Sequence, residues 1–107
     1  MTYYDTFGST RHAAGELALL VGGRLGLDFE ARESDFRGTY WRVVLPDGHI
    51  EVQPQAIPGD DGRDDLYDAG LPALLTLVLV MTEASDAGLR EALGGIAGLS
   101  HLSHESE

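Results

Sequence analysis

Two segments that alternate apolar and polar side chains, residues 39–45 and 49–53, constrain the fold of this chain more than any other feature. A period of two residues is typical of a β-strand with one buried face. The segments flank Pro46-Asp47-Gly48, and an Asp-Gly pair suits the two positive φ angles of a type I′ turn. The pattern therefore predicts an antiparallel hairpin with a two-residue loop.

The same turn predicts the register of the hairpin. It sets Leu45 opposite Ile50 and Val43 opposite Val52, and a slip of one residue would bury Glu51. The expected core face carries Trp41, Val43, Leu45, Ile50 and Val52. We expect the other face to be in water, and it carries Tyr40, Arg42, Val44, Glu51 and Gln53.

Four further strands and two helices are predicted in the rest of the chain. The strands are residues 2–7, 27–32, 74–81 and 96–104, and the helices are residues 11–25 and 87–93. Segment 74–81 is apolar on both faces, which suits a central strand. Gly26 should end the first helix. The candidate N-caps are Ser9 or Thr10 for the first helix and Ser85 or Asp86 for the second.

The element order predicts the fold class. Runs of adjacent strands with only two helices indicate an α+β fold, and 107 residues suit a single domain. We expect one two-layer domain over residues 1–107, with a mainly antiparallel sheet of four to six strands and both helices on one face. This is close to a split βαβ arrangement with an added hairpin strand.

Two stretches are predicted to lie outside this regular framework. Residues 57–70 are rich in Asp, Gly and Pro and predict a long acidic loop. A loop of this length is longer than most connections in compact domains, so it is either functional or mobile. Residues 103–107 are expected to form a frayed tail.

The charge of the chain limits its partners. There are 18 acidic residues against 7 basic ones, all arginine, which gives a net charge of −11. Nucleic acids and anionic membranes bind through Lys and Arg, so neither is an expected partner. A basic protein would be attracted and would associate faster at low salt.

Several kinds of chemistry are disfavoured by missing residues. Cysteine is absent, and no Gly-x-Ser-x-Gly motif is present. The acidic loop does not match the ligand spacing of a calcium-binding EF-hand. His101 and His104 are an odd number of residues apart, so on a strand they should point to opposite faces. We therefore expect neither an enzyme nor a cofactor or metal.

Residues 29–42, FEARESDFRGTYWR, together with the acidic loop and the segment GLSHL at residues 98–102, resemble small acidic proteins of high-GC bacteria. Some of these are similar to immunity proteins of polymorphic toxin systems in size, charge and α+β make-up. The resemblance implies a protein that neutralises a toxin by binding it. It implies no particular contact residues, because immunity proteins are diverse.

Charge and resemblance together predict a non-catalytic binding protein, an immunity protein or inhibitor that neutralises a basic toxin or enzyme by stoichiometric binding. One alternative is a small enzyme or ligand-binding domain with its site on the open sheet face. Another is a homo-oligomeric structural module. The expected partner-binding residues are Asp60, Asp61, Asp64, Asp65, Tyr67, Asp68, Tyr40 and Arg42.

The sequence also predicts where the protein acts. Residues 1–5 lack the basic and apolar regions of a signal peptide. The longest apolar run, residues 74–81, is far too short to span a bilayer. We therefore expect a cytoplasmic protein.

Overall fold

The computed structural model describes residues 1–35, 38–58, 64–68, 70–72, 75–84 and 86–107, and these form two helices and eight strands. The helices are α1 (Ala14–Leu25) and α2 (Ala87–Gly94). The strands are β1 (Tyr3–Ser9), β2 (Glu30–Ser34), β3 (Gly38–Leu45), β4 (Gly48–Pro54), β5 (Ala56–Pro58), β6 (Asp64–Leu66), β7 (Thr76–Thr82) and β8 (Ser100–Ser106).

Six of these strands form one antiparallel sheet in the order β2-β3-β4-β7-β1-β8. Because β1 and β4 both pair antiparallel with β7, they run parallel to each other with β7 between them. In the same way β7 and β8 run parallel and flank β1. Helix α1 lies between β1 and β4 along the chain and α2 between β7 and β8, so the sheet contains two interlocked split βαβ units. The predicted α+β class is confirmed, with β2 and β3 as an extension at one edge.

The main core lies between the sheet and the two helices. Helix α1 contacts β3, β4 and β7, and α2 contacts α1 on the same side of the sheet. Helix residues at i, i+3 and i+4 share one face, and the buried positions of α1 follow this spacing. The buried cluster comprises Phe7, Ala14, Leu17, Ala18, Val21, Ile50, Val52, Val78, Val80, Leu93 and Leu99. Strand β7 is central, as its apolar sequence predicts.

The register of the β3–β4 hairpin differs from the predicted one by two residues. Leu45 pairs with Gly48 and Val43 with Ile50, so the loop is Pro46-Asp47. Gly48 has no positive φ angle, which excludes the expected type I′ turn. Glycine is required there for another reason, because a Cβ on Gly48 would lie 1.9 Å from the carbonyl oxygen of Met81 in β7. A shift of two residues preserves strand faces, so the apolar strip still faces the helices.

Of the three helix ends for which the sequence predicts a cap, two agree with the structure. Gly26 adopts a left-handed conformation with φ 69° and ends α1 as expected. The Asp86 side chain accepts a hydrogen bond from the Leu89 amide, 2.9 Å away, and caps α2. Helix α1 starts at Ala14 without a side-chain cap. Ser9, the predicted cap, is instead the last residue of β1. Its hydroxyl accepts a hydrogen bond from the Arg11 amide.

The sheet face opposite the helices is not open to water at its centre, contrary to the prediction. Tyr40, Glu51 and Gln53 are buried there, with relative exposures of 9%, 8% and 0%. The chain beyond β4 covers part of this face, and the Leu75 side chain lies 3.2 Å from the position a Cβ on Gly8 would take. The short hairpin β5–β6 overlaps residues 57–70, so part of the predicted acidic loop is strand.

The C-terminal residues also differ from expectation. Strand β8 continues to Ser106 and pairs with β1, and Glu107 exchanges two backbone hydrogen bonds with Thr2 at 2.8 and 2.9 Å. Residues 103–107 are therefore part of the sheet edge rather than a frayed tail. Their side chains are all exposed because β8 is an edge strand. In the described part of the chain, neither helix is long and apolar enough to cross a membrane.

Candidate functional site

A cavity of about 380 Å³ lies on the sheet face opposite the helices. Its floor is built from side chains of β4, β7 and β1, and residues from β8 and from the chain after β6 form its rim. The side chains that the strand register places on this face are Tyr4, Thr6, His49, Glu51, Leu79, Met81 and Glu105, and Tyr67 joins them from above.

The strand register places these side chains in two neighbouring rows. In one row, His49 pairs with Met81, Met81 with Tyr4, and Tyr4 with Glu105. In the second row Glu51 pairs with Leu79, which in turn pairs with Thr6. Neighbouring strands lie about 4.8 Å apart, so Glu51 and Glu105, three strands apart, are separated by roughly 14–16 Å. The cavity is therefore elongated across the strands, with a carboxylate at each end.

The lining of the cavity contains acidic and aromatic side chains. Glu51 is almost fully buried, and its Oε1 lies 3.8 Å from Nε2 of His49. Among the described residues that line the cavity, none is an arginine. The exposed rings of Tyr4 and Tyr67 add apolar area at its edges. Such a surface suits a ligand that carries positive charge on an apolar stem.

Tyr67 borders the cavity, and the buried side chain of Gln55 binds the backbone next to it. Gln55 is fully buried, and its Oε1 accepts a hydrogen bond from the Asp68 amide at 2.9 Å. Its Nε2 donates to the carbonyl oxygens of Asp68 and Leu71. The Tyr67 amide donates to the Gln55 carbonyl at 2.9 Å. These bonds fix the backbones of Tyr67, Asp68 and Leu71 to Gln55, which directly follows β4.

The partner-binding residues predicted from the sequence are placed in different environments. Tyr67, with a relative exposure of 44%, and Asp68 are exposed, as the prediction requires. Asp68 also stabilises its own turn, because its Oδ1 accepts a hydrogen bond from the Gly70 amide. Tyr40 is buried and Arg42 is half-buried, so neither is the exposed contact that was expected.

The remaining predicted contacts belong to the acidic loop. Asp64 and Asp65 lie in β6, where their backbones pair with Pro58 and Ile57. Asp60 and Asp61 lie outside the described residues, as does the centre of the segment considered for calcium. Only Tyr67 of the predicted set therefore borders the cavity in the described structure.

Sequence reasoning missed most of the cavity. Tyr4 and Thr6 could have been assigned to this face, since they alternate with Asp5 and Phe7 in β1. Glu105 falls in the predicted tail, and no sequence pattern indicates that this tail pairs with β1. Leu79 and Met81 carry no signal either, because β7 is apolar on both faces.

A second cluster of titratable side chains surrounds Asp5 on the helix side of the sheet. Asp5 is only 4% exposed, and its Oδ1 lies 2.8 Å from Nε2 of His101 and 2.7 Å from Nδ1 of His104. Arg90 of α2 lies 3.9 Å from the other carboxylate oxygen. The two imidazoles converge, contrary to the prediction, because the β1–β8 register shifts between Thr6 and Phe7. The extra residue in β8 turns an odd spacing into one shared face.

The Asp5 cluster connects the edge strand β8 to β1 and α2. His101 stacks on Phe7, with ring centroids 4.6 Å apart, and adds packing to the hydrogen bond. A carboxylate that binds Nδ1 of a histidine can orient it as a general base. In the described part of the chain, however, His104 makes no hydrogen bond to a hydroxyl nucleophile. The contacts of Asp5 join β1, β8 and α2 and so stabilise this edge of the sheet.

A larger cavity, about 570 Å³, lies beside α1 on the helix side. It is lined mainly by glycines and apolar side chains, including Trp41 and Phe29, and Asp28 is its one titratable residue among those described. It offers apolar contact but little means of recognising charge. The described residues also contain no group of three or more His, Asp and Glu side chains arranged to hold a metal ion.

No family model, curated protein or solved structure matches this chain.

Proposed function

We propose that this chain is a non-catalytic binding protein that neutralises a basic protein, a toxin or an enzyme, by stoichiometric docking on the sheet face opposite the helices. The observation that carries the proposal is the cavity between Glu51 and Glu105 with Tyr67 at its edge. Interfaces that bind tightly combine aromatic anchors in a desolvated centre with complementary charge. The cavity supplies both on a surface whose net charge is −11.

The acidic loop has a separate part in this proposal. Five carboxylates fall within nine residues, namely Asp60, Asp61, Asp64, Asp65 and Asp68, immediately before or beside Tyr67. Clustered charge at the rim of an interface speeds encounter with an oppositely charged partner more than it strengthens the final complex. The loop would attract the partner, and the cavity and Tyr67 would hold it.

The proposal is tested by identifying a partner and measuring its binding. The wild-type chain and a Tyr67→Ser/Glu105→Gln double variant are used side by side to capture proteins from the source cells. A basic protein retained only by the wild type, and shown by calorimetry to bind one to one without being altered, is the expected result. A captured partner that is acidic, or one that both chains retain equally, contradicts the proposal.

The part played by the loop is tested on the same complex. Replacing Asp60, Asp61, Asp64 and Asp65 together with Asn or Ser should slow association and flatten its dependence on salt, with little change in the melting temperature. Stopped-flow or surface plasmon resonance kinetics at several salt concentrations measure this. Unchanged association rates would remove the acidic loop from the docking mechanism.

A second candidate function, a small ligand-binding domain or enzyme with its site on this face, is favoured by the His49–Glu51 pair inside the cavity. A carboxylate beside an imidazole is a common acid–base arrangement, and pockets of this volume hold small molecules. A small molecule bound here would raise the melting temperature of the wild type but not of a His49→Gln/Glu51→Gln variant. Equal stabilisation of both chains would exclude this candidate.

A further inference from the structure

We infer that the outer face of α1, formed by Glu16, Leu19, Leu20 and Arg24, is a dimerisation surface that binds the same face of a second copy of this chain. The two helices lie antiparallel about a two-fold axis at Leu20. The inference goes beyond the proposed function and does not depend on it, because α1 and the docking cavity lie on opposite faces of the sheet.

The outer face of α1 exposes two adjacent leucines. Leu19 is 80% exposed and Leu20 is 43% exposed, whereas Leu17 and Val21 on the inner face are fully buried. Leu19 also borders the cavity of about 570 Å³ beside α1, so the apolar surface continues from the helix into that cavity. Contiguous apolar surface that is rimmed by charged side chains marks a contact site more often than scattered apolar residues do.

Two charged residues flank the leucines in a self-complementary order. Glu16, Leu20 and Arg24 follow one another at intervals of four residues, so they form one row along the helix. When the row is turned end for end about Leu20, Glu16 takes the position of Arg24 and Arg24 that of Glu16. An antiparallel second copy therefore places a carboxylate opposite a guanidinium twice. A contact of this symmetry is closed and stops at two copies.

Both charged side chains are able to make this pairing. Glu16 and Arg24 are exposed, and Glu16 has no hydrogen-bond or ion-pair partner among the described residues. Arg24 donates from Nε to the Ala92 carbonyl oxygen at 3.2 Å, which uses one of its five N–H groups. Glu16 and Arg24 are separated by about 12 Å along the helix axis, so they do not pair with each other within one chain.

The charge of α1 favours a second copy over a basic protein as the occupant. The helix contains one acidic and one basic residue, so it is neutral within a chain of net charge −11. Two chains of like charge repel least where neutral surfaces meet. A basic protein is attracted to the acidic surfaces of the chain and not to this one. The self-complementary row then selects a second copy among partners without net charge.

The size of the contact predicts a weak dimer. Helix α1 has 12 residues and is about 18 Å long. Two such helices bury less than the roughly 1,200 Å² at which stable interfaces begin, even with part of the neighbouring cavity covered. We therefore expect a dissociation constant in the micromolar range.

The test is sedimentation equilibrium of the full chain over a range of protein concentrations at physiological ionic strength. The wild type should pass from monomer to dimer over the micromolar range. Leu19→Ser should weaken the dimer more than tenfold, because each copy loses a leucine that the contact buries. Val44→Ser is the matched control and should leave the dimer unchanged, since Val44 is 69% exposed but pairs with His49 on the opposite face of the sheet.

Charge reversals test the pairing itself. Glu16→Arg and Arg24→Glu should each weaken the dimer by about fivefold or more, because each places like charges opposite each other twice. Glu16→Arg also makes the chain less negative by two charges, so general repulsion between copies would predict a stronger dimer instead. An equimolar mixture of the two variants should dimerise about as well as the wild type, because one row then carries two arginines and the other two glutamates.

Several results would overturn the inference. A wild type that stays monomeric up to about 1 mM would show that a second copy does not cover this face. The antiparallel row is wrong if Glu16→Arg dimerises more strongly than the wild type, or if the mixture does not recover the dimer. Equal effects of Leu19→Ser and Val44→Ser would remove α1 from the interface. Circular dichroism melts establish that each variant, changed at an exposed position, is folded before it is compared.

Failure of this inference is distinguishable from failure of the proposed function. A wild type that is monomeric and binds a basic protein leaves the docking function standing and refutes the dimer. If Leu19→Ser weakens the binding of that basic protein to the monomer, α1 belongs to the docking interface and a second copy is not its occupant. A wild type that dimerises but binds no basic protein refutes the docking function alone.

Discussion

The hydrogen bonds of Gln55 give the sharpest prediction about how the cavity is built. Gln55 is fully buried and binds three backbone groups of residues 68 and 71 through its side chain. Gln55→Ala removes all three bonds, while the backbone bond from the Tyr67 amide to the Gln55 carbonyl can persist. The variant should therefore lose stability and loosen the stretch that carries Tyr67.

The magnitude follows from the number and exposure of the bonds. Each hydrogen bond contributes a net 0.5–1.5 kcal/mol, so three give roughly 1.5–4.5 kcal/mol. Asp68 is exposed and Leu71 is half-buried, so water can reach some of the freed backbone groups, which favours the lower half of this range. We expect a loss of about 2–3 kcal/mol in the free energy of unfolding, or a fall of roughly 10 °C or more in Tm.

A second variant, Gln55→Glu, tests the donor role of the amide separately. A carboxyl oxygen can still accept from the Asp68 amide, but an ionised carboxylate cannot donate to the Asp68 and Leu71 carbonyls. Burial raises the pKa of the introduced carboxyl group above its unfolded value of about 4.3. Stability relative to wild type is therefore retained below about pH 4 and lost as the pH rises through the raised folded-state pKa.

Urea denaturation at several pH values measures both variants. Hydrogen exchange should also show faster exchange of the Asp68 amide in Gln55→Ala, while amides in β7 change only with global stability. The reasoning is refuted if the free energy of unfolding of Gln55→Ala lies within about 0.5 kcal/mol of the wild-type value. It is equally refuted if the loss caused by Gln55→Glu does not grow between acidic and neutral pH.

Three further predictions concern the framework. Gly48→Ala should destabilise the domain by at least about 2 kcal/mol, because the added Cβ would lie 1.9 Å from a carbonyl oxygen of β7. Gly23→Ala is the matched control, because a Cβ added there would have no atom of the described residues within 4 Å, and it should stabilise α1 by about 0.5–1 kcal/mol. Urea denaturation of both variants decides this, and equal stabilities would contradict the close approach. Asp5→Ala should lower the free energy of unfolding by about 2 kcal/mol, because it removes the acceptor that two histidines share, and Asp5→Asn should lower it less. Equal melting temperatures of the two variants would contradict this ranking. Val43→Asp should unfold the domain, because Val43 packs against the core, and a cooperative circular dichroism melt at the wild-type Tm would contradict its position.

Local sequence patterns correctly predict which strand faces are buried against the helices and where two of the helices' ends lie. The strip from Trp41 to Val52, the left-handed Gly26 and the Asp86 cap all depend on neighbours close in sequence. The hairpin shows the limit of such reasoning. Its faces were predicted correctly, but its turn was wrong, because Gly48 is required by the approach of β7 and not by a positive φ angle.

The candidate site depends on contacts between distant parts of the chain. Gln55 carries no sequence signal of its role, since its partners lie 13 and 16 residues further on. Tyr4 and Glu105 meet only because β8 pairs with β1, which joins the two ends of the chain. The same pairing, with its irregularity beside Thr6, brings His101 and His104 onto Asp5.

The sequence by itself determined the class of the fold, the faces of the strands, the helix ends marked by Gly26 and Asp86, and the strongly negative charge. These properties follow from side-chain periodicity, backbone preferences and composition, which act over a few residues or sum over all of them. Only the tertiary structure decided that Glu51 lies at the end of a cavity, that Gln55 holds Tyr67 at its edge, and that two histidines share one buried carboxylate. Each of these depends on strand order and register, which are set by the packing of the whole sheet rather than by any local segment.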